Sequence, residues 1–179
     1  MAVSSRSLSA KVDLPWSICA IIQKFLIFKD FDMLSNYKTE KKDTQKIIVD
    51  LISFGFKKND LPNANYLIDV RFINNPYYID KLNPLTGLDK DVIRFFKEDR
   101  IVQRFLKELY NWVKCLLELN KNANREKITL AIGCTGGQHR SPYIVECLAK
   151  YLTKNLAKKE LVSKLSVYHR ELNEYNVTA

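Results

Sequence analysis

The chain has 179 residues, enough for one domain with a substantial core and too few for two ordinary ones. Its composition, 46% hydrophobic and 27% charged, excludes a disordered protein, and its nine-residue apolar run from Leu14 to Ile22 is too short to cross a bilayer. With 29 Lys and Arg against 20 Asp and Glu, the formal net charge of +9 attracts polyanions, so RNA, DNA, acidic membranes and phosphorylated metabolites are all admissible on charge alone.

Residues 1 to 44 read as an extension and linker. The first twelve residues hold Ser4, Ser5, Arg6, Ser7, Ser9 and Lys11 with no acid, a composition shared with organelle transit peptides. The reading taken is cytoplasmic, with targeting by residues 1 to 32 as the alternative. A polar run from Asn36 to Asp43 then leads into the domain, 45 to 173, with 174 to 179 as a tail. Short runs rich in branched and aromatic residues, Ile47 to Ile52 and Tyr66 to Phe72, predict strands, with Gly55 and Pro62 between them. Ile93, Phe96, Ile101, Phe105, Leu109, Trp112, Val113 and Leu116 recur mostly three or four apart, predicting helix from Asp89 to about Leu119 with a break near Asp99.

After the polar stretch from Asn120 to Lys127, the continuous apolar run Ile128 to Ile132 predicts a buried strand. Next comes Gly133-Cys134-Thr135-Gly136-Gly137-Gln138-His139-Arg140-Ser141. Beyond it Pro142 suits the first position of a helix, with Ser141 as cap and Ile144, Leu148, Tyr151 and Leu152 on one face. Lys150, Lys154, Lys158, Lys159, Lys164 and Arg170 make the C-terminal third basic, a candidate RNA phosphate track without sequence specificity. Cys19, Cys115, Cys134 and Cys147 form no CxxC pair, and the only histidines are His139 and His169, so neither a disulfide framework, a metal site nor a cofactor is expected.

A loop from the carboxyl end of a strand to the amino end of a helix gathers free backbone N–H groups and the positive end of the helix dipole, which suits an anion. Gly133, Gly136 and Gly137 give the backbone access to positive φ and close approach to a ligand. Arg140 can grip phosphate oxygens bidentately, and Thr135, His139 and Ser141 supply further donors, although Ser141 serves equally as a helix cap. The Walker pattern GxxxxGK followed by Ser or Thr is absent, so nucleotide hydrolysis on such a loop is not expected.

The spacing also fits CxxGxxRS, the loop of cysteine-dependent phosphatases, with Cys134 as nucleophile and Arg140 as clamp. Against catalysis, residue 133 is Gly where those enzymes usually carry His, and no WPD-like acid loop stands out, with Asp69 or Asp80 the substitutes on offer. Ligand sensing is the reading taken, and a Cys134-dependent phosphatase is the alternative.

Five blocks in order, Ser53-Phe54-Gly55-Phe56-Lys57, Asp69-Val70-Arg71-Phe72, Asn75-Pro76-Tyr77, Pro84-Leu85-Thr86-Gly87-Leu88-Asp89-Lys90 and Ala131 to Ser141, resemble the C-terminal domain of the RNase adapter proteins of the RapZ and YvcJ type. The nucleotide-binding kinase-like domain usual in that family has no counterpart in this sequence. The resemblance implies an α/β domain that binds an amino-sugar phosphate, glucosamine-6-phosphate, and takes part in small-RNA binding that directs an RNase. It also implies a pocket of Asp69, Arg71, Asn75, Tyr77 and the loop from Cys134 to Ser141, with Thr86, Gly87 and Asp89 near it. In that pocket Asp69 would accept hydrogen bonds from sugar hydroxyls or an ammonium, while Arg71 and Arg140 balance the phosphate.

Two departures bear on function. Tyr77 stands where some members carry His, and the basic tail of the family gives way to the segment from Glu171 to Ala179. The expectation is therefore one α/β domain, a mainly parallel sheet flanked by helices with a phosphate-binding loop between a strand and a helix. Its function is expected to be sugar-phosphate sensing and regulation. The partners are a phosphorylated amino sugar or similar anion, RNA as a further candidate and a regulatory protein, with no membrane.

Overall fold

A computed structural model describes residues 46–58, 60–156 and 161–178. The expectations placed on residues 1 to 44, Lys158 and Lys159 lie outside the described residues. The chain runs through β1 (Ile47–Gly55), β2 (Tyr66–Asp69), α1 (Lys90–Glu98), α2 (Arg100–Asn122), β3 (Lys127–Cys134), α3 (Arg140–Tyr151), β4 (Val162–His169) and β5 (Glu174–Thr178). The sheet order is β2-β3-β1-β4-β5. Four strands are parallel and β5 closes the edge antiparallel to β4. This is the expected α/β domain with a mainly parallel sheet and its loop between a strand and a helix.

Alternation along β1 sends Ile47, Val49, Leu51 and Ser53 into the interior and leaves Ile48, Asp50 and Ile52 half-buried. Val49 and Leu51 join Ile128, Leu130 and Ile132 of β3 and Ile144, Val145 and Leu148 of α3 in one fully buried cluster. Each such side chain contributes about 1.5–3 kcal/mol on leaving water.

The buried face of α2 is Val102, Leu106, Leu109, Val113, Leu116 and Leu117. Ile101, placed on the apolar stripe by sequence, is 56% exposed, because both 101/105 and 102/106 satisfy helical spacing and only packing chooses between them. The break at Asp99 has a direct cause. Its backbone is extended, and its carboxylate caps α2 by accepting from the N–H groups of Ile101 at 2.8 Å and Val102 at 3.4 Å.

Two boundaries differ from expectation. β2 stops at Asp69 rather than Phe72, because the Asp69 carboxylate accepts the Arg71 N–H at 2.9 Å and turns the chain out of the ladder. Helix α3 starts at Arg140, preceded by His139, so Ser141 is not its cap and Pro142 sits at the third helical position, where a missing N–H still costs nothing. Residues 174 to 178, taken as a tail, form β5. The strand β4 also escaped notice, since Ser163, Lys164 and Ser166 interrupt the apolar signal that Leu165 and Val167 carry.

Candidate functional site

The chain leaves β1 toward β2 and leaves β3 toward β4, on opposite sides of this adjacent pair. In a parallel sheet such a reversal opens a crevice at the carboxyl ends of the two strands. Gly55 and Cys134 end β1 and β3 in register at that point, and Asp69 at the end of β2 pairs with Gly133. Backbone bonds continue beyond the strands, with Phe56 N–H donating to Cys134 O at 2.9 Å, Lys57 N–H to Thr135 O at 3.1 Å and Val70 N–H to Gly133 O at 2.9 Å.

The structure requires glycine at two of the three loop positions, for different reasons. Only Gly137 has positive φ, at 73°, and a Cβ there would collide with Glu171 Cγ and lie 2.8 Å from Gly55 N. Gly133 lies in β3 against the rings of Phe54 and Phe56, which would meet any side chain. A Cβ on Gly136 would point into open space. Positive φ, expected of all three, thus belongs to Gly137 alone.

Arg140 is 5% exposed. Its Nη1 donates to the carbonyls of Arg71 at 2.9 Å and Ile73 at 3.2 Å, and its Nη2 to Thr135 Oγ1 at 3.0 Å. Its Nε is the one buried side-chain nitrogen or oxygen among the described residues without a hydrogen-bond partner. Nε and Nη2 share one edge of the guanidinium, the edge that engages two oxygens of an anion side-on. At the head of α3, Cys134 Sγ accepts the Gly137 N–H at 3.2 Å and lies 3.2 Å from Ser141 Oγ, which also donates to Phe54 O at 3.2 Å.

His139 does not face the anion loop with a charged donor. It is buried, and Nε2 lies 3.1 Å from Leu82 O. Desolvation pushes its pKa below the ordinary 6.5 against the pull of the nearby carbonyls, and the Arg140 charge adds to the lowering. Gln138 reinforces this strut by donating to the carbonyls of Asn83 at 3.0 Å and Leu85 at 2.7 Å, while Gly87 N–H donates to Gln138 O at 2.8 Å. Gly87 packs so tightly on the His139 carbonyl that no Cβ fits. Thr86 donates through N–H and Oγ1 to Asp89 Oδ2, holding that carboxyl below its usual range.

Asp69 and Arg71 form a bidentate surface pair with Nη2 2.7 Å from Oδ2, and the Arg71 guanidinium lies 4.3 Å above the Phe56 ring. Partial burial pushes Asp69 up, but the Arg71 hydrogen bonds and charge outweigh it and the carboxyl stays below its usual range. Asn75 caps a short 3-10 turn, Pro76–Tyr78, by accepting the Tyr77 N–H, and Tyr77 itself is 54% exposed. Tyr77 O accepts from Asn83 Nδ2, so this turn is tied through Asn83 to Gln138. Hydrogen bonds thus tie the Asp69–Arg71 pair and the Asn75–Tyr77 turn to the loop through Arg140 and Gln138. Phe56 and Glu171 were missed. Glu171, 7% exposed at its side chain, accepts Gly55 N–H at 3.2 Å, pairs with Arg170 at 2.9 Å and packs under Gly137.

The basic track loses its last member. Arg170 donates to Asp60 O and Gly55 O and lies 5.4 Å from the Phe54 ring centroid, so its charge is spent inside the fold. Lys150 reaches Glu146 at 3.6 Å, and Lys154 and Lys164 are exposed.

Residues 47–173 match the family model of the RapZ C-terminal domain. A nucleotide-binding protein of Pseudoalteromonas atlantica is 34% identical over 97% of this chain and 63% of its own length. Another from Shewanella sp. strain MR-7 is 39% identical over 72% of this chain and 43% of its own, and one from Pasteurella multocida is 38% identical over 79% and 49%. The chain thus spans about half the length of these relatives.

Proposed function

Because the chain belongs to the RapZ C-terminal domain family, we propose that it is a regulatory domain whose glycine loop binds a phosphorylated amino sugar of the glucosamine-6-phosphate kind. The observation that carries this reading is Arg140. A guanidinium costs several kcal/mol to bury without full pairing, and here one edge is anchored on carbonyls while Nε on the other edge has no partner beside a loop at a helix amino terminus. A phosphate oxygen on that edge satisfies the orphaned N–H. Asp69, held ionised by Arg71, supplies an acceptor for the ammonium of an amino sugar, and the exposed Tyr77 supplies a hydroxyl.

RNA and a regulatory protein are the macromolecular partners of this reading. RNA is supported by the net charge of +9 and by exposed Lys154 and Lys164.

Calorimetric titration with glucosamine-6-phosphate, glucose-6-phosphate and inorganic phosphate tests the ligand. Binding is expected for all three, tightest for the amino sugar, and is expected to vanish in Arg140→Ala. If none of the three binds, the proposal fails.

A further inference from the structure

We propose that Cys134 is a nucleophile toward phosphorus, giving the domain a slow phosphatase activity confined to monoesters with good leaving groups. The inference rests on the reading that the loop binds a phosphate monoester, and it goes further by assigning chemistry to the sulfur. Two independent features place Cys134 in such a role. Its Sγ sits at the carboxyl end of β3, directly before the amino terminus of the twelve-residue helix α3, where it accepts the Gly137 N–H at 3.2 Å. The buried Arg140 guanidinium, held at 3.0 Å on Oγ1 of Thr135, the residue after Cys134, carries the orphaned Nε, an unpaired donor that points to an anion at the same loop.

Ser141 makes the sulfur adjustable. Its hydroxyl has one proton and two acceptors at 3.2 Å, Phe54 O and Cys134 Sγ. With a thiol, the S–H donates to Ser141 Oγ while the hydroxyl points at Phe54 O. With a thiolate, the hydroxyl turns onto sulfur and, together with the Gly137 N–H, gives it two donors. The thiolate then attacks phosphorus, forming the S–P bond as the ester P–O bond breaks, and the leaving oxygen departs with its electron pair. Water cleaves the S–P bond, releasing inorganic phosphate and returning the sulfur. No oxidant, reductant or co-reactant beyond water is needed.

The limit on leaving groups comes from the groups around the loop. An alkoxide leaving a sugar phosphate needs a proton, and a positioned general acid typically contributes about 10²–10⁴-fold. His139 is neutral and engaged on Leu82 O, Asp69 is ionised by Arg71, and Glu171 is ion-paired with Arg170. An aryloxide leaves without that help. With the same geometry, a loop with a phosphatase spacing is expected to hold a sugar phosphate intact.

The test uses p-nitrophenyl phosphate as substrate, with inorganic phosphate binding measured calorimetrically on the same preparations. The intact chain is expected to bind phosphate, to hydrolyse the aryl ester at least ~100-fold faster than Cys134→Ser, and to turn over glucose-6-phosphate at least ~100-fold more slowly than the aryl ester. Acid-quenched wild-type protein, which needs no variant to fold, is expected to carry one added phosphoryl group on the Cys134 peptide. Phosphate binding with hydrolysis no faster than in Cys134→Ser and no phosphoryl adduct overturns the inference and leaves the sensing function standing. Absence of phosphate binding overturns both, and comparable turnover of the alkyl ester overturns the leaving-group limit.

Discussion

At Arg140 one guanidinium ties two segments to the head of α3: the carbonyls of Arg71 and Ile73 after β2, and Thr135 in the loop after β3. Removing it leaves buried acceptors unpaired, so Arg140→Ala is expected to lower unfolding free energy by about 1–3 kcal/mol in urea titrations, besides abolishing phosphate binding. Arg140→Lys is expected to keep the charge and still lose most of the affinity, because an ammonium has no fork. The phosphate clamp was legible from spacing. Its anchoring on backbone carbonyls was not, since those carbonyls lie about seventy residues upstream in sequence. His139 misled for a related reason, because a histidine in a glycine loop looks like a donor until the 82–85 segment is seen to bury it. Its lowered pKa carries a signed consequence. Below pH 6.5 the unfolded chain takes up a proton that folded His139 refuses, so stability is full above that pH and falls as pH drops toward the folded value. Thermal melts of His139→Gln between pH 7 and pH 5 are expected to show a flatter dependence than the parent (roughly the window set by an ordinary imidazole).

Among the elements, the loop between β3 and α3 separates glycines that sequence cannot tell apart. Gly137→Ala strains a backbone at φ 73° and collides with Glu171, whereas Gly136→Ala meets nothing within 4 Å. The first is expected to cost about 1–3 kcal/mol and to weaken phosphate binding, and the second to leave the melting temperature within about 1 °C of the parent by thermal melt. The break between α1 and α2 was legible in Asp99, and the structure gives its reason in the cap on Ile101 and Val102. Asp99→Ala is expected to destabilise by about 0.5–2 kcal/mol in the same assay, and it also removes the acceptor of Asn74 Nδ2. The choice of face on α2 was not legible, because two apolar rows share the same helical spacing.

For the molecule as a whole, the parallel sheet and the loop at its strand ends followed from a handful of apolar runs and one glycine-rich segment. The C-terminal strands did not, because β4 alternates Ser and Lys with its apolar residues and β5 follows a turn with Asn173 at φ 54°, a local feature with no apolar signature. That omission mattered for function. The segment read as a basic surface brings Arg170 back beneath the loop, and the next residue, Glu171, supports Gly137 and Gly55 from the end of the domain, where no site residue was expected.

The site stands at the carboxyl ends of the parallel strands β1 and β3, whose connections leave toward opposite sides of the sheet, and the most direct check is to watch backbone amides of the labelled protein during titration with glucosamine-6-phosphate. The largest nuclear magnetic resonance shifts are predicted at the amides from Thr135 to Ser141, with smaller ones near Val70 and Arg71, and none of size at Lys154 or Lys164. Shifts concentrated on those lysines, or spread evenly without saturating, would contradict a phosphate site at the head of α3.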